Sequence, residues 1–400
     1  QSMRLLDTVF PADLYAFSNS YQNTKLTIGI NTNSNYTGPE NPVDVNGEVK
    51  YFQNLHTIEI SEGNYSFIEL SLELQNLLNG IPNVSGFIVT YSVAEQKFYF
   101  ANTEIRTSIG SSIRGKDIFI ITSPYNDTVN NHSINDHIME TYLLIKNCKI
   151  SDASSITLIC PCYPYARQDK KDNSRTCISA KDIADLFTTA GVNRVVCFDL
   201  HSAQIQGFFN IPCDNFYCIN MIHKYLVDNH NINKYFDKEL DSEFVIIAPD
   251  EGALKRVQTY ANKFKMPFMV VSKERDYTQI NKVEKAVLIG DKKYLEGRTA
   301  IIIDDMADTC GTVIKVGELL MNKGAKDVIV IVTHGILSGP AIERINYTTY
   351  IKEIVVSDTL PQNHNQKICN KLKTFSIAPM LSEVITRLDK GGSLSEIFSN

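Results

Sequence analysis

Two adjacent carboxylates, Asp304 and Asp305, followed by Met-Ala-Asp308-Thr309-Cys310-Gly311-Thr312, are the residues of this chain best suited to chemistry. Ahead of them Ile301–Ile303 is a short β-branched run, as suits a strand buried on both faces of a parallel sheet. That strand is predicted over 299–303, so the acids stand where it emerges. A polar turn ending in Gly311-Thr312 leads into Val313–Lys323, whose apolar residues recur at helical spacing up to Gly324. Strand, loop and helix in that order aim backbone N–H groups and a positive helix end at a ligand, which suits a phosphate. Paired carboxylates beside it suit sugar hydroxyls, or a divalent cation that offsets their repulsion. A capped turn with a solvated Asp pair has the same spacing. The motif thus points to a sugar-phosphate site without choosing a reaction.

Other polar constellations close other predicted strands. Arg167, Lys170, Lys171 and Arg175 crowd one loop together with Asp169 and Asp172. Pro161, Pro164 and two tyrosines stiffen its approach, and Arg167 with Gln168 suits a nucleotide's phosphate and base. A solvated charged loop is the plainer alternative. Asp199-Leu-His201 ends a second strand, as a metal or phosphate contact or as a structural histidine. Asp250 after Val245–Ala248, with Gly252 and Lys255-Arg256 on the next helix, fits an anion loop. Lys273-Glu-Arg275 follows Phe268–Val271 and precedes a polar stretch to Lys285. Two cations there suit a closing lid, or simply exposed charge on a hairpin.

These constellations need elements to carry them. From about residue 97 onward, strand candidates at 117–121, 156–160, 194–198, 244–248, 268–272, 286–289, 299–303, 327–332 and 353–356 alternate with helical stretches at 135–147, 178–190, 252–264 and 312–323. Such alternation predicts an α/β fold with parallel sheets flanked by helices, and ligands bind such sheets at the carboxyl ends of strands. Residues 4–54 read differently. They carry a hairpin signal, Val43–Val45 and Glu48–Phe52 around Asn46-Gly47, but no long apolar face. This predicts an appended β-rich element outside the main sheet. Thr57–Ile60 alternates like a strand, and a capping box at Ser66–Glu69 starts a helix with Leu70, Leu74, Leu77 and Leu78 on one face. Residues 55–79 are therefore expected to open the first parallel sheet.

The 400 residues predict two or three domains, and a net charge of −6 excludes a whole-molecule nucleic-acid footprint. Nine cysteines form no ladder of CxxC pairs. Cys160-Pro-Cys162 reads as a buried strand end rather than a zinc knuckle, so reduced thiols are expected. No apolar run reaches the roughly 20 residues of a membrane span. Gln1-Ser2-Met3 reads as a leftover tag ahead of a native Met3, and Arg4–Ser20 lacks a signal-peptide core. A cytoplasmic protein with neither a membrane nor a nucleic-acid partner is expected.

Together these segments resemble ribose-phosphate diphosphokinase of the common phosphate-activated type, from about Phe98 to Phe398. Phe100-Ala-Asn102-Thr-Glu104 looks like the family's adenine-contacting turn, with Ala101 where Ser is usual, and Arg114-Gly-Lys-Asp117 matches its next turn. Pro164–Lys181 looks like its ATP loop, Asp199–Phe209 its metal- and nucleotide-binding segment, and Lys273-Glu-Arg275 its catalytic flexible loop. Asp304–Thr312 looks like the ribose-phosphate loop, while Thr333–Pro340 and Gly392–Phe398 are family hallmarks. The chain departs from the pattern at Asp250-Glu-Gly-Ala253, where Asp-Ala-Gly-Gly is usual. Glu251 adds negative charge beside the expected pyrophosphate site. Residues 1–54 match nothing in the family.

The resemblance implies two phosphoribosyltransferase-like domains, 55–218 completed by 388–400, and 219–387. It implies transfer of the diphosphate of MgATP to the 1-hydroxyl of ribose 5-phosphate. Catalysis would fall to Lys273 and Arg275, and ATP binding to Phe100, Asn102, Glu104, Arg167, Gln168 and Asp172. Ribose 5-phosphate would lie on Asp304, Asp305, Asp308, Thr309, Cys310, Gly311 and Thr312, with His201 and Asp250 serving Mg2+. Ser112, Arg114, Gln206, Asn215, Ser393, Ser395 and Phe398 match positions of an allosteric site for phosphate and ADP, in dimers assembling to a hexamer. Two rivals share motifs. A phosphoribosyltransferase has the Asp-Asp…Thr-x-x-Thr loop without an ATP loop. A silent regulatory subunit carries insertions in the flexible loop, whereas residues 273–291 here are uninterrupted.

Overall fold

A computed structural model describes residues 104–110, 112–127, 132–171, 173–232, 242–274 and 285–399, and strand segments at 14–15, 22–31, 51–52, 55–62, 87–90 and 98–99. The predicted hairpin turn at 46–47 and the predicted helix after Ser66 lie outside these residues. The described chain opens with β1 (Leu14–Tyr15), β2 (Gln22–Asn31), β3 (Tyr51–Phe52) and β4 (Leu55–Glu62). Then come β5 (Phe87–Thr90), β6 (Phe98–Tyr99), β7 (Ile105–Arg106) and β8 (Asp117–Ile121). Helix α1 (Ile134–Ile150), β9 (Ser155–Ile159), α2 (Ser179–Ala190), β10 (Arg194–Phe198) and β11 (Cys213–Phe216) follow. The chain divides into two compact units, 1–217 with 377–400, and 218–376.

The first unit is built on the six-stranded sheet β1-β5-β8-β9-β10-β11, in which every neighbouring pair is parallel. Its helix α1 starts at a capping box between Ser133 and Asp136. Two expectations are corrected here. Residues 55–62 do not open the parallel sheet, since β4 pairs antiparallel with β2 and β3. The opening strands are instead β1 and β5, with Leu14 and Tyr15 opposite Ile88 and Val89. The sequence explains the difference. Thr57-Ile-Glu-Ile60 alternates polar with apolar, as a one-sided antiparallel strand does, whereas Phe87-Ile-Val89 is a continuous apolar run. Residues 4–54 thus contribute a strand to the main sheet as well as the β-rich appendage.

The second unit contains α3 (Ile219–His230), β12 (Phe244–Ala248), α4 (Leu254–Phe264), β13 (Phe268–Glu274), β14 (Lys285–Ile289), β15 (Thr299–Ala307) and α5 (Gly311–Asn322). It continues through β16 (Asp327–Gly335), α6 (Ala341–Tyr347), β17 (Ile351–Ser357), α7 (Asn363–Ile368) and β18 (Leu372–Phe375). Helices α8 (Ala378–Asp389) and α9 (Ser395–Ser399) belong to the first unit, so the return falls at Ile377, ahead of the 388 expected from the sequence. The sheet runs β14-β13-β12-β15-β16-β17-β18, parallel except for the antiparallel hairpin β13–β14. Ile301, Ile302 and Ile303 are all wholly buried, as a strand covered on both faces requires. Helix α4 buries Val257, Tyr260, Ala261 and Phe264, a stripe at helical spacing. Gly317 of α5 lets Tyr350 approach so closely that a Cβ would stand 2.8 Å from the ring. β12 and β15 run parallel, but strands are added to one side of β12 through β14 and to its other side from β15 onward. The crevice beyond the carboxyl ends of those two strands is therefore the topological switch point.

Candidate active site

At that switch point the second unit brings together the Asp250 loop, which follows β12, and the Asp304–Thr312 segment, which follows from β15. β15 runs further than the sequence predicts: Asp304 still pairs with Val332 and Ala307 with Gly335. The acids therefore lie within the strand, not beyond it. Asp305 is buried and Asp304 half-buried. Arg256, projecting from α4, resolves their repulsion. Its Nη1 lies 3.1 Å from Asp304 Oδ1 and 3.1 Å from Asp305 Oδ1, and the Asp305 N–H donates to Asp304 Oδ1 at 2.9 Å. Burial first, and the Asp305 charge second, push the Asp304 carboxyl well above the ordinary carboxylate range, against the pull of Arg256.

The turn after β15 is held by side chains from the next strand–helix connection. The Ser338 hydroxyl donates to Asp308, and Arg344 Nη1 donates to the Thr309 carbonyl at 2.8 Å. Cys310 is buried in the left-handed region at φ 59° and precedes α5, whose start has no side-chain cap. Thr309 and Thr312 are exposed around it. An uncapped start to a helix of 12 residues offers N–H donors and positive potential to an anion. Burial lifts the Cys310 thiol to about 12, so it stays protonated, and its Sγ donates to the Asp308 carbonyl at 3.9 Å.

Asp250 Oδ1 accepts the Ala253 N–H at 3.2 Å, leaving its other oxygen for a ligand. Lys273 lies in β13 with its backbone opposite Ala286, and Arg275 falls outside the described residues. The described residues contain no preformed group of three or more His, Cys, Asp or Glu able to hold a metal. A carboxylate with one open oxygen suits a hard cation that keeps most of its water or takes oxygens from its substrate.

In the first unit Arg167 and Gln168 are exposed on the turn after β9. Tyr163 Oη donates to the Ala180 carbonyl at 2.9 Å and Ser179 Oγ to Gln168 Oε1 at 2.6 Å, so the turn is tied to α2 at both ends. His201 is exposed just beyond β10, after the buried Asp199 at φ 37°. Glu104 is exposed, while Phe100, Asn102 and Asp172 lie outside the described residues. Of the effector candidates, Ser112, Ser393 and Ser395 are exposed. Arg114 is also exposed and stands 3.9 Å from Asp152. Gln206 Nε2 donates to the Ala203 carbonyl at 3.0 Å. Asn215 is buried instead, and its Oδ1 accepts the Leu200 N–H at 3.0 Å, fixing the backbone before His201. Only the backbone of Phe398 is described, in α9.

Arg256, Ser338 and Arg344 complete the site without having stood out in the sequence as its supports. Lys255-Arg256 reads as part of an anion loop, but Arg256 spends its charge on the acid pair. No local pattern distinguishes Arg256 from Lys255 beside it.

Two largely parallel sheets flanked by helices, one of them with paired acids and an uncapped helix at its switch point, define an α/β protein whose site suits a sugar phosphate. A family profile for the N-terminal domain of ribose phosphate pyrophosphokinase matches residues 83–191, and one for the phosphoribosyl synthetase-associated domain matches 279–399. The crystal structure of phosphoribosylpyrophosphate synthetase from Mycobacterium smegmatis is 34% identical, with 81% of this chain and 96% of that chain covered, at a TM-score of 0.67. A purine phosphoribosyltransferase from Pyrococcus horikoshii Ot3 is 17% identical over 29% of this chain and 73% of that one, at a TM-score of 0.21, too low to bear on the assignment. The chain belongs to the phosphoribosylpyrophosphate synthetase family, the ribose-phosphate diphosphokinases.

Proposed function

We propose that the enzyme transfers the β,γ-diphosphate of MgATP to the anomeric hydroxyl of ribose 5-phosphate, giving phosphoribosyl pyrophosphate and AMP. The observation that carries this reading is the Asp304–Asp305 pair, clamped by Arg256 and leading directly into the uncapped start of α5. The acids take the ribose hydroxyls, and the backbone from Asp308 to Thr312 takes the 5-phosphate. Asp304 keeps its proton to higher pH than an ordinary carboxyl, so its bond to a hydroxyl changes from donor to acceptor as pH rises. In the first unit Arg167 and Gln168 hold ATP, with Asp172 on the same loop, and the Phe100–Glu104 turn reaches the base.

Diphosphoryl transfer needs in-line positioning and neutralised charge more than covalent help. Lys273 and Arg275 supply positive charge to the diphosphate as it is transferred. His201 in the first unit and Asp250 in the second are each candidates to hold Mg2+, which when bound would neutralise charge on the diphosphate. Phosphate and ADP act as effectors through Ser112, Arg114, Gln206, Ser393, Ser395 and Phe398 in a homo-oligomer, with buried Asn215 acting through the Leu200 backbone it holds, and the location is cytoplasmic. No described helix is long and apolar enough to cross a membrane. The deciding assay is AMP formation from ATP with and without ribose 5-phosphate. AMP that appears only with the sugar phosphate supports the reading; nucleotide turnover indifferent to it overturns the reading.

A further inference from the structure

The hairpin that carries Lys273 leaves its parallel neighbour early. Pairing of β13 with β12 ends at Ala248 opposite Val270, whereas its antiparallel pairing with β14 continues to Glu274 opposite Lys285. From Val271 onward the sheet therefore holds β13 from the β14 side alone. Among the described residues, the side-chain bond that reaches this stretch from the Asp250 loop runs from Ser272 Oγ to Glu251 Oε1, at 2.7 Å. Glu251 adjoins Asp250 and Ser272 adjoins Lys273, so one hydrogen bond joins the two segments assigned to the transferred diphosphate. A carboxylate beside an anion site is otherwise costly, and the alanine usual in the family could accept no such bond.

We infer that Glu251 is a positioning residue that ties β13 to the Asp250 loop and so fixes the backbone of Lys273 against it. This rests on the diphosphate-transfer reading above. The bond is exposed and contributes little to global stability, but transfer chemistry is sensitive to displacements of about 1 Å. The tether should therefore show in kcat and not in folding.

Four variants test this in AMP formation: Glu251→Ala, Glu251→Gln, Ser272→Ala and the double alanine variant. Glu251→Ala and Ser272→Ala should each lower kcat about 10-fold, with either KM within about twofold. The double variant should be no worse than Glu251→Ala, because both changes cut the same bond. Glu251→Gln, whose amide oxygen still accepts, should recover most of the rate. Multiplying single effects, a Gln variant as poor as the Ala variant, or a raised KM with kcat intact would each overturn the inference. Wild-type protein that fails to make AMP refutes the underlying reading. Active wild-type protein matched by Glu251→Ala refutes the tether alone. Hydrogen exchange at the amides of 271–274 reads the tether without turnover. Faster exchange in Glu251→Ala than in Glu251→Gln is expected, and equal exchange overturns it. Should Glu251→Ala lose the fold, Ser272→Ala carries the same expectations.

Discussion

Arg256 Nη1 stands 3.1 Å from the Asp304 carboxylate and reaches Asp305 at the same distance, so one guanidinium nitrogen serves both acids of the motif. The arrangement follows from topology. Helix α4 begins just past the end of β12, and β15 is the neighbour of β12 across the switch point. The side chain therefore meets the acids from the adjacent strand–helix connection. The burial that sharpens the electrostatics of the pair also holds Asp304 well above its ordinary range.

Arg256→Ala should destabilise the protein at neutral pH by about 1–3 kcal/mol, since it leaves adjacent acids without their cation. The loss is greater with both acids ionised than with one. It should be largest above the raised Asp304 range and shrink as pH falls and Asp304 takes up its proton. Denaturant midpoints for variant and parent at pH 5 and pH 8 check the sign. A deficit equal at both would show that Arg256 acts through packing instead.

Asp304→Asn should separate stability from activity. A carboxyl whose folded pKa is raised contributes stability that is complete below its unfolded pKa and lost as pH rises through the folded value. Asparagine removes that loss. The variant should melt higher than the parent at neutral pH, by about 0.5–2 kcal/mol, with a flatter pH profile. Its kcat/KM should fall about 100-fold or more, because the group proposed to take the ribose hydroxyls has changed. A variant less stable than its parent at neutral pH would mean the Asp304 charge is well compensated.

The parts of the fold that could be read beforehand were those where local pattern and global position agree. Ile301–Ile303 and Phe244–Ala248 are apolar on both faces because parallel strands are covered on both faces. What escaped is non-local. The extension of β15 through Ala307 depends on pairing with β16, which keeps Asp304 in the sheet against its poor strand propensity. β5 and β18 have only four residues each, Phe-Ile-Val-Thr and Leu-Lys-Thr-Phe, too short for a period to show. The role of Arg256 could not be read at all: 48 residues separate it from Asp304, and only the strand order brings them together.

Lys273→Ala should lower kcat and kcat/KM together, about 100-fold or more, with little change in either KM, as expected of a cation that acts in the transition state. Steady-state kinetics on both substrates separates this from the alternative. A large rise in KM with kcat intact would make Lys273 a ground-state contact.

The placement of β1 bears on how much of the N-terminus can be removed. Leu14 and Tyr15 pair with Ile88 and Val89 at the outer edge of the first sheet, and β4 takes its partners from β2 and β3. Deleting residues 1–12 touches none of these strands and should leave a folded, active enzyme. Deleting through Phe52 removes β1, β2 and β3 together. It uncovers the backbone of β5, whose Phe-Ile-Val stretch is apolar, and leaves β4 without partners. An open apolar edge invites intermolecular strand pairing, so the longer deletion should aggregate or lose activity while the shorter does not. Circular dichroism, size-exclusion chromatography and the AMP assay on both truncations decide the matter. A monodisperse, fully active protein after the longer deletion would show that β1 is dispensable, and that the sheet is complete from β5 onward.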